Sequence, residues 1–144
     1  MRKAFLCVAL GVSQLAAVGA HAATTERFSV VANGEIVGHL VSVQNGRSID
    51  VDYAVSDNGR GPKHKEHLLL DAAGIPVEWS IEGTSLMGGA VSEHVSWKDG
   101  VESWVSQADK GEVKSPSPRL YVGNDASPWA LGLYAHALDR KSVV

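Results

Sequence analysis

With 144 residues, 44% apolar and 20% charged, the chain is long enough for one ordinary globular domain and too apolar for disorder to be the default. Its formal charge is −3, and loss of Arg2 and Lys3 with an export signal would take the 13 basic residues to 11 against 16 acidic ones, a net −5 that argues against nucleic acid as a partner. The one cysteine, Cys7, would leave with the same segment, so the mature chain is expected to have no thiol for a disulfide or a metal.

Arg2 and Lys3 precede an uncharged run over residues 4–18, then small residues and Ala20-His21-Ala22. This is the arrangement of a secretory signal peptide over residues 1–22, cut between Ala22 and Ala23. The run is shorter than the roughly 20 residues of a spanning helix, so the mature product is expected to be periplasmic or secreted, with no membrane as partner.

Residues 23–107 read as an antiparallel β-meander of about seven strands, short Val-, Ile-, Tyr- and Trp-rich runs separated by turn residues. The first run covers 27–32. Asn33-Gly34, a pair suited to a two-residue hairpin, leads into 35–43, and Asn45-Gly46 repeats the punctuation before 48–56. There Ile49, Val51, Tyr53 and Val55 alternate with Asp50, Asp52, Ala54 and Ser56, the period of a sheet with one wet face. Residues 57–62, DNGRGP, are expected to form a wide loop rather than a tight turn.

The stretch 63–83 reads as the central hairpin. Leu68 to Leu70 run into a turn punctuated by Gly74 and Pro76, after which Val77, Trp79 and Ile81 alternate with Glu78, Ser80 and Glu82. Gly88-Gly89 marks a loop or bulge. Val91, Glu93, Val95 and Trp97 then share a face, Lys98-Asp99-Gly100 turns the chain, and 101–107 is the last expected strand.

Residues 108–126 read as an exposed connector, polar and broken by Pro116 and Pro118. Ser127-Pro128 then pairs an N-cap residue with a proline suited to the first helical position, and Leu131, Tyr134, Ala135 and Leu138 recur at helical spacing. A helix over 127–138 follows, with that face awaiting cover from further chain. The fold class is therefore mainly β, a meander forming a curved sheet or partial barrel with one C-terminal helix.

For chemistry the pattern offers little. His64 and His67 fall on opposite faces of a strand, no His-x-His pair exists, and the histidines are expected to sit exposed on the wet face. No serine stands in a Gly-x-Ser-x-Gly elbow, and Asp50 and Asp52 read as solvated charges. Neither catalytic, cofactor nor metal residues are assigned. Trp79, Trp97, Trp104 and Trp129 could line a ligand groove, Trp79 and Trp97 foremost, against the plainer reading that such aromatics fill a core.

Four segments carry a family resemblance: VVANGEIVG at 30–38, DNGRGPK at 57–63, GIPVEWSIEG at 74–83 and NDASPWAL at 124–131. Together they resemble the N-terminal extension of exported bacterial amidohydrolases of the imidazolonepropionase-related type, over the mature chain to Leu138. The resemblance implies an accessory β-rich region whose partner is a C-terminal catalytic barrel with a divalent metal, hydrolysing carbon–nitrogen bonds; its metal ligands have no counterpart here. Residues 139–144, DRKSVV, are the translation of the sequencing adapter GATCGGAAGAGCGTCGTG and are expected to be non-native. The alternatives are a self-contained periplasmic carrier for an apolar ligand and a structural partner docking through a sheet edge.

Overall fold

The computed structural model describes residues 22–139, so the expected signal peptide, apart from Ala22, and the tail at 140–144 lie outside it. Eight strands follow one another in a single unclosed sheet, each antiparallel to the next: β1 Thr24–Ala32, β2 Glu35–Asn45, β3 Ser48–Val55, β4 Lys63–Leu70, β5 Pro76–Thr84, β6 Ala90–Lys98, β7 Val101–Val105 and β8 Lys110–Lys114. One helix, α1, spans Ala130–Asp139. The mainly β meander with a C-terminal helix is thus what the chain adopts. It has one strand more than the alternation predicts.

Turn chemistry explains the connections. Asn33 and Gly34 both take positive φ, 52° and 85°, and Asp99 and Gly100 do the same at 52° and 80°, the geometry that matches strand twist in two-residue hairpins. The second hairpin departs from expectation: Asn45 pairs with Ser48, so the two turn residues are Gly46 and Arg47, with Gly46 alone supplying positive φ. The expected wide loop at 57–62 is also tighter. Asp57 and Arg60 exchange backbone hydrogen bonds of 2.7 and 2.9 Å around Asn58-Gly59, making a small hairpin that extends β3 and β4. Between β4 and β5, the Asp71 carboxylate accepts the backbone N–H of Ala73 and of Ile75, each at 2.8 Å, which fixes the reversal before Pro76.

Alternation decides which side is buried. Leu40, Ile49, Val51, Leu68, Trp79, Ile81, Val91 and Val95 all project to one inner face, where Ala130 and Leu133 of α1 complete the core. The outer face is solvated. Asp50 accepts from His67 at 2.8 Å, and Asp52 lies 3.7 Å from both His39 and Lys65, as solvated charges on a wet face should.

β8 lies inside the stretch expected to be an exposed connector. Its only apolar side chain is Val113, so no alternation marks it; pairing with the free edge of β7 makes it a strand. Gly111 is required there, because a Cβ would stand 2.5 Å from Cζ2 of Trp104, whose ring lies across the strand.

The helix also differs in phase. Its buried residues are Ala130, Leu133 and Ala137, with Tyr134 packed against the core, while Leu131 is 68% and Leu138 58% exposed. Two alanines allow a close approach to the sheet that the larger leucines would prevent, so packing selects the face one residue away from the more hydrophobic one. Ser127 does not act as a side-chain N-cap either: its carbonyl accepts Ala130 N–H at 3.0 Å, and its Oγ has no hydrogen-bond partner.

Candidate functional site

The route from β8 to α1 shapes everything on the inner face. Residues 115–127 walk back across the sheet, and three buried glutamates hold them. Glu102 on β7 accepts the backbone N–H of Arg119 at 3.2 Å. Glu93 on β6 accepts the Tyr121 hydroxyl and the backbone N–H groups of Asn124 and Asp125, at 3.1 and 3.2 Å. Glu66 on β4 accepts Trp79 Nε1–H at 3.0 Å and Ser127 N–H at 2.6 Å. Each carboxylate thus replaces lost hydration with charge-assisted bonds to a strap that has no strand partner of its own.

Two tyrosines join this layer. Trp79, 1% exposed, meets Tyr121 edge-on at a centroid distance of 6.5 Å and Tyr134 at 6.3 Å. Burial, reinforced by the bond to Glu93 and its charge, pushes the Tyr121 hydroxyl far above its ordinary pKa. Burial raises Tyr134 as well, against the opposing effect of the Gly123 N–H that its oxygen accepts at 3.1 Å, and burial raises Tyr53.

Strap and helix leave one side of the sheet open. Eight strands spaced about 4.8 Å apart span roughly 34 Å, so a helix about 10–12 Å across covers two or three of them. The inner face of β1 remains open, with Phe28 55% exposed, while Leu40 and Ser42 on β2 are buried. Between these strands and α1 lies a pocket of about 810 Å³, inside the roughly 300–1,000 Å³ common for small-molecule sites. Its walls are apolar: Phe28, Val30, Leu40, Ile49, Tyr53 and Leu70 from the sheet, Trp129, Leu133 and Ala137 from the helix segment. Glu26, Ser29, Gln44 and His136 supply the polar rim, and Glu26 accepts the Ser42 hydroxyl at 3.2 Å.

Trp79 and Trp97 line none of this space. Trp79 fills the core beside Glu66, and Trp97 donates its Nε1–H to the Ser115 carbonyl at 3.0 Å, anchoring the start of the strap. The tryptophan in the pocket wall is Trp129, one of the four weighed for a groove, which stands beside Phe28 and Tyr53. Of the histidines, His39 and His67 are exposed on the outer face, but His64 is buried beneath Tyr53, with ring centroids 6.0 Å apart. Expectation of an exposed His64 fails because its phase is that of Glu66 and Leu68, the inner face. Among the described residues no group of three or more His, Cys, Asp or Glu is placed to hold a metal ion, and no helix is long and apolar enough to cross a membrane.

Ala22 and Ala23, the residues flanking the expected cleavage point, are exposed just before β1. No protein-family model, curated protein or solved structure was found to match the chain.

Proposed function

We propose that this chain is a binding module for an apolar or amphipathic small molecule, held between the inner face of β1 to β3 and the side of α1. The observation that carries this reading is the 810 Å³ apolar pocket, placed where the sheet outruns its cover. Its polar groups sit at the rim, which suits a ligand with an apolar body and one polar end. Dodecanol titrated into purified protein is expected to change Trp129 emission saturably. Gly132 lines the pocket and a Cβ there meets nothing within 4 Å, so Gly132→Phe has room to start its side chain beside the pocket and is expected to weaken binding by about tenfold or more. No saturable change in the parent protein, or equal affinity in Gly132→Phe, overturns the reading.

A second reading is that the module is the accessory region of an exported amidohydrolase, with hydrolysis and its divalent metal residing in a following catalytic domain. The outward α1 face of Leu131, Ala135 and Leu138 supports it, as an apolar surface beside an already packed helix. The four resembling segments also build scaffold here: a hairpin turn, the β3–β4 extension, strand β5 and the strap's junction with α1. Sequencing the source locus past Leu138 tests this. A reading frame that continues into a His-x-His motif after a strand supports it, and an in-frame stop there refutes it.

A further inference from the structure

A second, smaller pocket of about 490 Å³ lies on the other side of Tyr53, between β4, the strap and the start of α1. Two of its walls are polar side chains that the fold buries and leaves without protein partners. His64 is 6% exposed, and neither ring nitrogen has a hydrogen-bond partner. Ser127 is 2% exposed, and its Oγ has none either.

Their placement is fixed by the backbone. His64 projects inward two residues from Glu66 on β4, and its neighbours across the strands are Tyr53 and Gly83, the latter with no side chain to offer. A Cβ at Gly83 would lie 1.9 Å from the Lys63 carbonyl oxygen, so no larger residue fits there. Ser127 lines the same pocket and is pinned on both sides, its N–H donating to Glu66 and its carbonyl accepting Ala130 N–H, which leaves the hydroxyl as its one polar group without a partner. Buried polar groups are ordinarily satisfied, and two orphaned ones on residues that line one pocket of this size mark a place for a ligand's polar group.

We propose that this pocket is a second binding site, for a small uncharged molecule carrying a hydroxyl or primary amide on an apolar body. A neutral imidazole offers one donor and one acceptor and a hydroxyl offers both, so the complementary ligand must itself donate and accept. Anions are disfavoured, because Asp125 lines the pocket, Glu66 adjoins Ser127, and no lysine or arginine is among the lining residues. Cations are disfavoured by the apolar remainder of the wall, including Pro62, Leu86 and Leu131, and by the prior engagement of both Glu66 oxygens.

The two sites are separated experimentally by their own histidines, since His136 lines the larger pocket and His64 the smaller. Long-range proton–nitrogen NMR spectra of the imidazoles are recorded while purified protein is titrated with hexan-1-ol, hexanamide, hexanoate and hexylammonium. The alcohol and the amide are expected to shift the His64 ring saturably and to bind more tightly than either ion. Ser127→Ala, which keeps the backbone bond to Glu66, is expected to weaken them about fivefold to tenfold. His64→Phe, followed through the Tyr53 ring resonances in place of the missing imidazole, is expected to abolish saturable binding, and if that variant does not fold, Ser127→Ala decides alone. Shifts confined to His136, unchanged affinity in Ser127→Ala, preference for a charged probe, or no saturable shift at His64 because the pocket holds only water would each overturn the proposal.

Discussion

The two halves of this sheet share one alternating pattern but differ in what covers them. Over β4 to β7 the inner face meets the strap and α1, and three glutamates lie buried there because backbone N–H groups arrive to satisfy them. Over β1 to β3 no strap arrives, apolar side chains such as Phe28, Leu40 and Ile49 share the inner face with Glu26, Ser42 and Gln44, and a pocket remains. Alternation therefore builds the sheet uniformly, while the return path of the chain divides it into a covered, structural half and an open half, the one proposed to bind.

The sharpest test of that division compares two aromatic truncations. Trp79→Ala opens a cavity at the centre of the covered half and frees a Glu66 oxygen, and is expected to lower stability by about 3–5 kcal/mol. Phe28→Ala, in the open half and more than half exposed, is expected to cost under about 1 kcal/mol. Urea denaturation of both variants measures the contrast, and equal losses would break it. If the glutamates hold the strap, Glu93→Ala is next in size: three donors lose their acceptor, for an expected loss of about 2–4 kcal/mol. Asp50→Asn on the outer face should fall within about 0.5 kcal/mol of the parent.

A smaller effect appears at high pH. All three tyrosines have pKa values raised by burial in the fold, so above the ordinary tyrosine pKa of about 10 the unfolded chain releases protons that the native state retains. Stability is then full below that pH and falls as pH rises through the folded values. Absorbance of tyrosinate at high pH should lag behind that of the unfolded chain and rise with unfolding. Ordinary titration near pH 10 in a still-folded protein would contradict the tyrosine environments described.

Much of the fold was legible because burial here follows a period of two. Ile49, Val51, Trp79 and Ile81 announce their face directly, and Asn33-Gly34 announces its turn. Elements that depend on distant partners were not legible. Lys110–Lys114 lacks any strand pattern and becomes β8 through the free edge of β7. In α1 the apolar spacing of Leu131, Tyr134 and Leu138 competes with that of Ala130, Leu133 and Ala137, and close packing favours the smaller residues.

The candidate site was harder still. Trp79 and Trp97 carry the strongest aromatic signal, yet each is occupied in holding structure, by Glu66 and by the Ser115 carbonyl. Glu93, in phase with Val91, Val95 and Trp97, was the one readable sign that something polar returns to the inner face. The pocket itself arises from where the strap and α1 stop short, a property of the chain's path across the sheet rather than of any local motif.

Location of a bound ligand tests the central claim most directly. Intermolecular NOEs from dodecanol bound to isotope-labelled protein are expected at the Leu40, Ile49 and Leu133 side chains, in the pocket between β1 to β3 and α1. NOEs confined to the outward Leu131 and Leu138, or none at all in the presence of saturating ligand, would contradict the division of the sheet into a structural and a binding half.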